Sequence, residues 1–472
     1  MFVQQFFVKG LAHSSYLLGG SKNCAIIDPQ RDVDLYLKAA EDMGMIITHI
    51  LETHLHADFV SGHLDLAEKT GAIIVAPKSA KCKFKHKAVA EDDTFKIENM
   101  HFKVLDTPGH TPEHITYVVT DKSRGTEPVC IFCGDVLFVG DVGRPDLFPG
   151  KAKYLASQLY DNLHNKIFNL PDFCEVYPAH GAGSLCGRAM GAKRTSTIGY
   201  ERRYNSALQI SNKEKFIESL TTNMPAAPDH FSRCSAINGK GPALVSRLPK
   251  LAPLPTKKFA QMMKKKNTIV LDIRDYTSFG GQHVPGAYHI DFGGNFATFA
   301  GWILPPDKDI LLVANSAQQA HDANVLLKRV GLDKAVGFLD GGMFAWAKDG
   351  LTTEHIYQVS ASELHNKLQK TERMILVDVR TIGEYQSNHI EGAVNIPAPE
   401  LRTRYKELDN GKSVFLLCST GHRSSLGASI LQQKGFRELY NVAGGMTGYS
   451  AAGFSTECPM CVAPHLPLME KI

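Results

Sequence analysis

The feature that most constrains this chain is a set of four loops rich in histidine and aspartate, each placed where a strand-like run ends. The first is THLHADFVSGH (53–63), and the others are DTPGHTPEH (106–114), FCGDVLFVGDVGRPDL (132–147) and VYPAHG (176–181). Rigid strands fix the side chains at their ends, so loops that meet at one sheet edge can converge on a cation. The sequence therefore predicts a metal site in the first part of the chain.

The order of these loops resembles that of the metallo-β-lactamase superfamily, whose first loop reads His-x-His-x-Asp-His. The resemblance implies a multidomain α/β protein that begins with an αββα sandwich. In two-metal members the last histidine of this motif helps to hold the second ion, and here Phe59 takes its place. Asp58 and His180 alone are too few for a good second site, so we expect one metal ion per chain.

The donor types by themselves leave the identity of this metal open. A single ion would be held by some of His54, His56, His110 and Asp135. Two imidazoles and one carboxylate on one face of an ion suit Fe(II) and O2 chemistry. Three histidines and an aspartate would also suit Zn(II) and a metal-bound hydroxide.

A longer resemblance favours iron. The four loops, extended by YPAHGAGSLCGRAMGAKRTSTIGYERRYN (177–205), resemble the persulfide dioxygenases that are fused to rhodanese domains. The resemblance implies one Fe(II) held by His54, His110 and Asp135. It also implies oxidation of a low-molecular-weight thiol persulfide, such as glutathione persulfide, by O2 to sulfite. The residues left beside the metal, or as remnants of a second site, are His56, Asp58 and His180.

Other polar residues near these loops receive weaker interpretations. The candidates for binding the carboxylates of a thiol substrate, as cations and hydroxyls do, are Arg144, Tyr177, Arg188 and Lys193. The histidines interpreted as ordinary packed or hydrogen-bonded residues are His13, His49, His63, His86 and His114. Cys186 is interpreted as a small packed residue, with a thiol near the site as the alternative.

The second half of the chain contains an internal repeat. VLDIRDYTSFGGQHVPGAYHI (270–290) aligns without gaps with LVDVRTIGEYQSNHIEGAVNI (376–396). Further on, DGGMFAWAKDG (340–350) matches AGGMTGYSAAG (443–453). Each copy begins with an apolar strand that ends in Asp-x-Arg and continues with helical segments. This pattern predicts two small α/β domains with parallel sheets.

In the second copy, the run VFLL leads into CSTGHRSS (418–425) and an apolar-periodic helix. Cys418 and Arg423 bracket a loop whose backbone N–H groups and following helix can stabilise a thiolate, a persulfide or an oxyanion. The Cys-x4-Arg spacing, one residue shorter than in related phosphatases, and the surrounding motifs resemble a rhodanese. Cys418 is then the sulfur-carrying nucleophile, and the alternative is a buried structural cysteine. The other loop residues are Ser419, Thr420, Gly421, His422 and Ser424.

The first copy lacks this loop. In LLVANSAQQAHDAN (311–324), alignment places Asn315 at the position of Cys418 and Ala320 at that of Arg423. An amide cannot carry sulfur, so we expect an inactive rhodanese-like domain that serves as scaffold or interface. Substrate channelling is the alternative role.

These patterns predict five segments along the chain. They are an iron domain (1–235), a Pro- and Gly-rich linker (236–256), an inactive rhodanese-like domain (257–355), an active one (356–456) and a tail (457–472). The tail contains CPMC (458–461), for which we expect no metal. A zinc site completed by other ligands and a redox pair are the alternatives.

Composition excludes several function classes. The formal net charge is only +4 over 472 residues, so binding to nucleic acid is not indicated. No apolar run approaches the roughly 20 residues of a membrane helix, and MFVQQFFVKG reads as a first strand and not as a signal peptide. Ten scattered cysteines do not resemble a disulfide framework. We therefore expect a cytoplasmic protein, and the resemblance implies a dimer or tetramer.

The sequence thus predicts an enzyme of sulfide detoxification or sulfur assimilation. The iron domain would make sulfite, and Cys418 would exchange sulfane sulfur with sulfite or a thiol, making or using thiosulfate. The alternatives are a zinc-dependent thioester hydrolase of the glyoxalase II class and a non-oxidative sulfur-relay protein. The thiol carrier and the direction of sulfur transfer stay open.

Overall fold

The structure is a computed structural model that describes residues 1–187, 190–222, 224, 226–370 and 373–457. The chain divides into two compact units, which are residues 1–248 with 327–332 and residues 249–326 with 333–472. The first unit carries the four histidine and aspartate loops. The second unit carries the loops of both repeat copies. Within the described residues, none of the helices combines the length and the apolar character that crossing a membrane requires.

Two six-stranded sheets form the centre of the first unit. The strands of the first sheet are β1 (Phe2–Val8), β2 (His13–Gly19), β3 (Asn23–Ile27), β4 (Ile46–Leu51), β5 (Ile73–Pro77) and β6 (Lys87–Val89). Those of the second sheet are β7 (Thr94–Ile97), β8 (Met100–Asp106), β9 (Ile115–Asp121), β10 (Cys130–Gly134), β11 (Glu175–Pro178) and β12 (Ser196–Thr197). Apolar side chains of both sheets share one buried cluster, so the sheets pack face to face.

Helices cover the outer face of each sheet. They are α1 (Asp34–Asp42), α2 (His63–Thr70), α3 (Ala152–Asn165), α4 (Ile198–Tyr204) and α5 (Lys213–Thr221). A sixth helix, α6 (His230–Lys240), lies against the first histidine loop. Tyr36 of α1 and Leu66 of α2 pack on the first sheet, whereas Leu159 of α3 and Phe216 of α5 pack on the second. This arrangement confirms the predicted αββα sandwich. Because both faces of the sheets are covered, strands such as β2 and β10 are buried along their whole length.

The strand directions explain why the four loops meet. Strands β4, β8, β10 and β11 each lead directly into one of the loops. β10 and β11 are parallel neighbours, so the residues that follow them emerge at the same edge of the second sheet. The sandwich therefore presents four ligand-bearing segments at one end.

Each repeat copy in the second unit is built on a five-stranded sheet in which all strand pairs are parallel. The first copy contains β13 (Ala252–Leu254), β14 (Thr268–Asp272), β15 (Tyr288–His289), β16 (Asp309–Val313) and β17 (Ala335–Leu339). The second contains β18 (Tyr357–Val359), β19 (Met374–Asp378), β20 (Val394–Asn395), β21 (Ser413–Leu417) and β22 (Leu439–Val442). Corresponding strands follow the same order in both sheets, as the repeat predicts.

The helices of the two copies also correspond. In the first copy they are α7 (Thr256–Met263), α8 (Tyr276–Gly281), α9 (Phe296–Ile303), α10 (Ala317–Arg329) and α11 (Gly342–Lys348). In the second they are α12 (Ala361–Leu368), α13 (Ile382–Ser387), α14 (Leu401–Arg404), α15 (His422–Gln433) and α16 (Gly445–Ala451). The Asp-x-Arg motif ends each first strand with a buried ion pair. The paired atoms are 2.7 Å apart in Asp272–Arg274 and 2.6 Å apart in Asp378–Arg380.

The predicted linker at 236–256 is wrong in part. Helix α6 continues to Lys240, and β13 contributes an edge strand to the first rhodanese-like sheet. A three-residue strand that contains Pro253 gives no periodic signal, and the edge of a sheet is where a proline is tolerated. The CPMC tail segment lies outside the described residues.

Candidate metal centre and sulfur-transfer loop

Three buried side chains with metal-binding atoms meet where the loops of the first unit converge. The ligand atoms of His54, His110 and Asp135 all lie within 4.8 Å of one another. The His110 Nε2 atom is 3.2 Å from Asp135 Oδ2, and the His54 Nε2 atom is 3.8 Å from the same oxygen. Neither Nε2 atom has a hydrogen-bond partner among the described residues. Because buried polar atoms are rarely left unpaired, this donor set fits a cation.

The hydrogen bonds behind the two imidazoles decide which nitrogen faces the centre. The Thr53 hydroxyl donates to Asp28, so it can only accept the Nδ1–H of His54, 2.9 Å away. The Nδ1–H of His110 donates to the carbonyl oxygen of Arg144 at 2.8 Å. With both Nδ1 atoms protonated, both Nε2 atoms carry a lone pair. Burial lowers the pKa of both rings, which keeps them neutral and able to bind a metal.

Asp135 is held by a histidine that bridges two carboxylates. His180 Nδ1 is 2.8 Å from Asp135 Oδ1, and His180 Nε2 is 2.8 Å from Asp58 Oδ2. Burial alone would lower the pKa of His180, but the two carboxylates raise it well above its ordinary value. Burial would raise the pKa of Asp135, yet the His180 and His110 imidazoles lower it. Asp58 and His180 therefore pair with each other instead of opening towards a second ion.

Phe59 fills the space beside this bridge. Its ring is fully buried, with its centroid 4.4 Å from that of His56 and 3.9 Å from that of His13. His56 Nε2 lies 3.1 Å from an Asp28 carboxylate oxygen and belongs to a separate buried group with Glu52. The structure thus brings together His54, His110 and Asp135, whereas His56 belongs to the neighbouring group with Asp28 and Glu52.

Two residues interpreted as ordinary packing lie closer to the centre than the sequence suggested. Both nitrogens of His13 are buried without a hydrogen-bond partner among the described residues, and burial lowers the pKa of the ring. Cys186 packs against Phe138 and Phe231, and its sulfur also lies beside Asp58 and His180. Burial raises the pKa of the Cys186 thiol, and the nearby carboxylates raise it further. It is therefore a protonated thiol.

Asn238 holds the first histidine loop from α6. Its Nδ2 atom donates to the carbonyl oxygens of His56 and Phe59, each at 2.8 Å. Its Oδ1 atom accepts from the Ser61 N–H at 2.9 Å. Sequence reasoning missed this residue because it lies in a segment interpreted as a linker.

The proposed substrate-binding residues have different outcomes. Arg144 is buried and makes two hydrogen bonds to Asp146, so in this structure its guanidinium binds a carboxylate of the protein itself. The Tyr177 hydroxyl donates to Glu175 and its ring stacks on Phe132. Lys193 is exposed, with its ammonium over the Tyr200 ring, and stays a candidate. The fourth candidate, Arg188, lies outside the described residues.

In the second unit, Cys418 lies buried directly after β21. The Gly421 N–H donates to the Cys418 sulfur at 3.1 Å, and the Ser424 hydroxyl does so at 3.3 Å. Gly421 has φ +104°, a conformation that glycine adopts readily and other residues rarely do. Helix α15 begins at the next residue, so its positive end lies beside the sulfur. Two donors and a helix end can stabilise negative charge on this atom.

Arg423 is held by a residue that sequence reasoning missed. Its guanidinium makes two hydrogen bonds to the Glu384 carboxylate, at 2.6 and 2.7 Å, and one to Ser419 at 2.9 Å. Burial would raise the pKa of Glu384, but Arg423 and the Thr381 cap lower it to about 2. Arg423 thus ties the loop to α13. The repeat contained a signal for this role. The copy that lacks the arginine has Ser278 at the position of Glu384, so the arginine and its glutamate partner are absent together.

In the first copy, the residue at the position of Cys418 is one earlier than the sequence alignment indicates. Val313 pairs with Asp272 as Leu417 pairs with Asp378, so Ala314, and not Asn315, occupies the position of Cys418. α10 begins at Ala317, which makes the loop one residue shorter.

The shorter loop also changes the counterpart of the arginine. The second residue of α10 is Gln318, where α15 has Arg423, so the match with Ala320 is wrong too. The Asn315 N–H donates to the Gln319 side chain at 2.7 Å, so the loop supplies its own acceptor. The first copy therefore lacks the thiol, the arginine and its glutamate partner.

Comparison with known proteins identifies families that match both halves of the chain. The model of the metallo-beta-lactamase superfamily matches residues 8–180, and that of the rhodanese-like domain matches residues 255–349 and 360–452. The crystal structure of a metallo-beta-lactamase from Staphylococcus aureus subsp. aureus COL is 35% identical, with a TM-score of 0.66. The match covers 71% of this chain and 98% of the Staphylococcus aureus chain.

The chain belongs to the metallo-β-lactamase superfamily. The mitochondrial persulfide dioxygenase ETHE1 of Mus musculus is 29% identical over 239 residues, which are 48% of this chain and 84% of that protein. The hydroxyacylglutathione hydrolase of Rhodospirillum rubrum is 36% identical over 159 residues, 33% of this chain and 57% of that protein. The chain thus combines a metallo-β-lactamase domain with two rhodanese-like domains, which confirms the predicted fusion. The similarity to persulfide dioxygenases supports a metal-dependent enzyme of sulfur metabolism.

Replacing Phe59 by histidine tests why a single ion is expected. Phe59→His places an imidazole beside Asp58 and His180, so we expect the metal content to rise from one ion per chain towards two. Metal analysis of purified protein measures this, and Phe59→Leu serves as the control that should stay at one. A Phe59→His protein that also holds one ion would show that position 59 does not limit the second site.

Glu384→Gln tests the tie between Arg423 and α13. At pH 7 we expect the free energy of unfolding to fall by about 1 kcal/mol, because the pair is partly exposed and water screens it. Glu384 has a depressed pKa, so its stabilisation is present above 4.5 and is lost as the pH falls towards 2. The difference from wild type should therefore shrink over this range. Urea denaturation followed by circular dichroism measures it, with the exposed Glu391→Gln as control. A difference that is constant with pH would contradict the assignment.

Proposed function

We propose that the first unit binds one Fe(II) through His54, His110 and Asp135 and oxidises a low-molecular-weight thiol persulfide with O2. The observation that carries this proposal is the convergence of two Nε2 lone pairs and one carboxylate oxygen. A set of two imidazoles and one carboxylate leaves other positions of the ion open and suits Fe(II) and O2 chemistry. The similarity to persulfide dioxygenases supports the choice of substrate.

The overall reaction is R–S–SH + O2 + H2O giving R–SH + sulfite + 2 H⁺. When bound, Fe(II) supplies positions through which electrons pass from the persulfide sulfur to O2. The protein fixes the donor atoms, since Thr53 and the Arg144 carbonyl orient the two imidazoles. His180 holds the carboxylate of Asp135 ionised and in place. Phe59 occupies the space beside His56 and His180 with a ring that binds no metal.

For the second unit we propose sulfur transfer through Cys418. A thiolate at Cys418 attacks the outer sulfur of a persulfide, which forms Cys418–S–S⁻ and releases the thiol. Sulfite then attacks the outer sulfur, which forms thiosulfate and releases the Cys418 thiolate, and the reverse direction uses thiosulfate. The N–H of Gly421 and the hydroxyl of Ser424 are placed to stabilise the charged sulfur in both steps. The two units are coupled because sulfite is the product of one and a substrate of the other.

A zinc-dependent thioester hydrolase is the second candidate, because hydroxyacylglutathione hydrolases are among the relatives. The same three ligands could hold Zn(II) and activate a water. Phe59 argues against this candidate, since it removes a ligand of the second metal. A non-oxidative sulfur relay that uses only the rhodanese-like half is the third reading.

Metal analysis with an oxygen electrode separates these functions. We expect iron and O2 uptake with glutathione persulfide, reduced more than about 100-fold in Asp135→Ala because a ligand is lost. Zinc together with hydrolysis of S-lactoylglutathione would overturn the proposal in favour of the hydrolase. A wild-type protein that takes up no O2, yet transfers sulfur as well as its Asp135→Ala variant does, would favour the sulfur relay.

Cys418→Ser tests the independence of the two sites. A serine cannot carry a persulfide, so we expect formation and use of thiosulfate to be abolished while O2 uptake is retained. Ion chromatography of thiosulfate and sulfite, run beside the oxygen electrode, measures both activities. Equal loss of both would refute two independent sites.

A further inference from the structure

Two side chains of the inactive first copy lie against the sulfur-transfer loop of the second copy. Tyr276, the first residue of α8, packs on Gly421, where an added Cβ would lie 3.0 Å from its ring. The same ring stands edge-on to that of His422, with centroids 5.2 Å apart. A carboxylate oxygen of Asp291 lies 2.9 Å from His422 Nδ1. The first copy thus contacts two adjacent residues of the loop that carries Cys418.

These contacts act on the atom that faces the sulfur. The Gly421 N–H donates to the Cys418 sulfur, and the Tyr276 ring limits how far this left-handed glycine can move away. Asp291 fixes the side chain of His422, which is otherwise half exposed. The loop is therefore enclosed from outside by side chains that its own copy does not provide.

The contact between the copies extends along α15. His289 lies 2.9 Å from the Ser425 hydroxyl through Nδ1, and its N–H donates to the Ser429 hydroxyl at 3.0 Å. His289 is fully buried, as are both serines. Because this anchor begins four residues after Gly421, Tyr276 and Asp291 are held at a defined distance from the loop.

The two copies are not equivalent at these positions. The repeat aligns Tyr276 with Ile382 and Asp291 with Pro397. Neither isoleucine nor proline can make an aromatic edge contact or pair with an imidazole. The side chains that suit an active loop thus occur in the copy that has lost its own nucleophile.

We propose that Tyr276 and Asp291 are positioning residues for sulfur transfer at Cys418, and that the first copy forms one wall of that site. The inference rests on the proposed sulfurtransferase function. Tyr276 acts through the Gly421 N–H, which stabilises the thiolate as nucleophile in one step and as leaving group in the other. Asp291 acts through His422, the neighbour of Arg423.

The test compares variants of the full chain in transfer of sulfur from thiosulfate to cyanide. Tyr276→Ala should lower kcat about tenfold, because the donor to the sulfur is less well placed, with a smaller change in KM. Tyr276→Phe keeps the ring and should restore the wild-type kcat. Asp291→Ala should also lower kcat, and Asp291→Asn, which still accepts from His422, should recover most of it. Phe344→Ala, which removes an exposed aromatic of the same copy, is the matched control and should behave as wild type.

A second readout does not depend on turnover. The rate of Cys418 alkylation by iodoacetamide at pH 7, measured by mass spectrometry, should fall in Tyr276→Ala and return in Tyr276→Phe. O2 uptake and circular dichroism check that each variant is folded, and Tyr276→Leu replaces Tyr276→Ala should the latter unfold. Folded variants with wild-type kcat and alkylation rates would overturn the inference. A wild-type protein that transfers no sulfur would instead refute the proposed function, while the alkylation rates would still test the positioning.

Discussion

The metal centre depends on where two imidazoles place their protons. The Thr53 hydroxyl donates its hydrogen bond to Asp28, so it can only accept one from His54 Nδ1. The Arg144 carbonyl can only accept one from His110 Nδ1. His54 and His110 must therefore both be protonated on Nδ1. Both lone pairs consequently face the same point beside Asp135. The sandwich brings the loops together, but these hydrogen bonds determine that the loops offer a metal site and not a packed histidine cluster.

How much of this arrangement the sequence could predict depends on how far each signal is local. His54, His110 and Asp135 follow strand ends within short motifs, and Cys418 follows a strand in the same way, so their neighbourhoods could be predicted. Asn238 and Glu384 act across the fold, so their neighbours in sequence do not identify their partners. For Glu384 the only signal was its replacement by Ser278 in the first copy. Arg144 was a candidate substrate ligand because it lies in a loop that carries a metal ligand. Its two hydrogen bonds to Asp146 are visible only in the structure.

The rhodanese-like repeat shows how a local error arises from a shortened loop. The gap-free alignment ends before the loop, and counting back from the next match, 340–350 with 443–453, pairs Asn315 with Cys418. The strand register shows that Ala314 holds that place, because one residue is missing before α10. The conclusion that the first copy is inactive is unaffected, since neither residue is a thiol. What the alignment could not reveal is the use of this copy as a neighbour of the active loop.

The Gln319 amide that occupies the shortened loop has a consequence for the history of the protein. Replacing Ala314 by cysteine would restore a thiol in a loop one residue too short, without the arginine and with the Gln319 side chain already bonded to the loop backbone. Recovery of the lost chemistry would therefore require several coordinated changes, and the silent half can specialise in support of its twin.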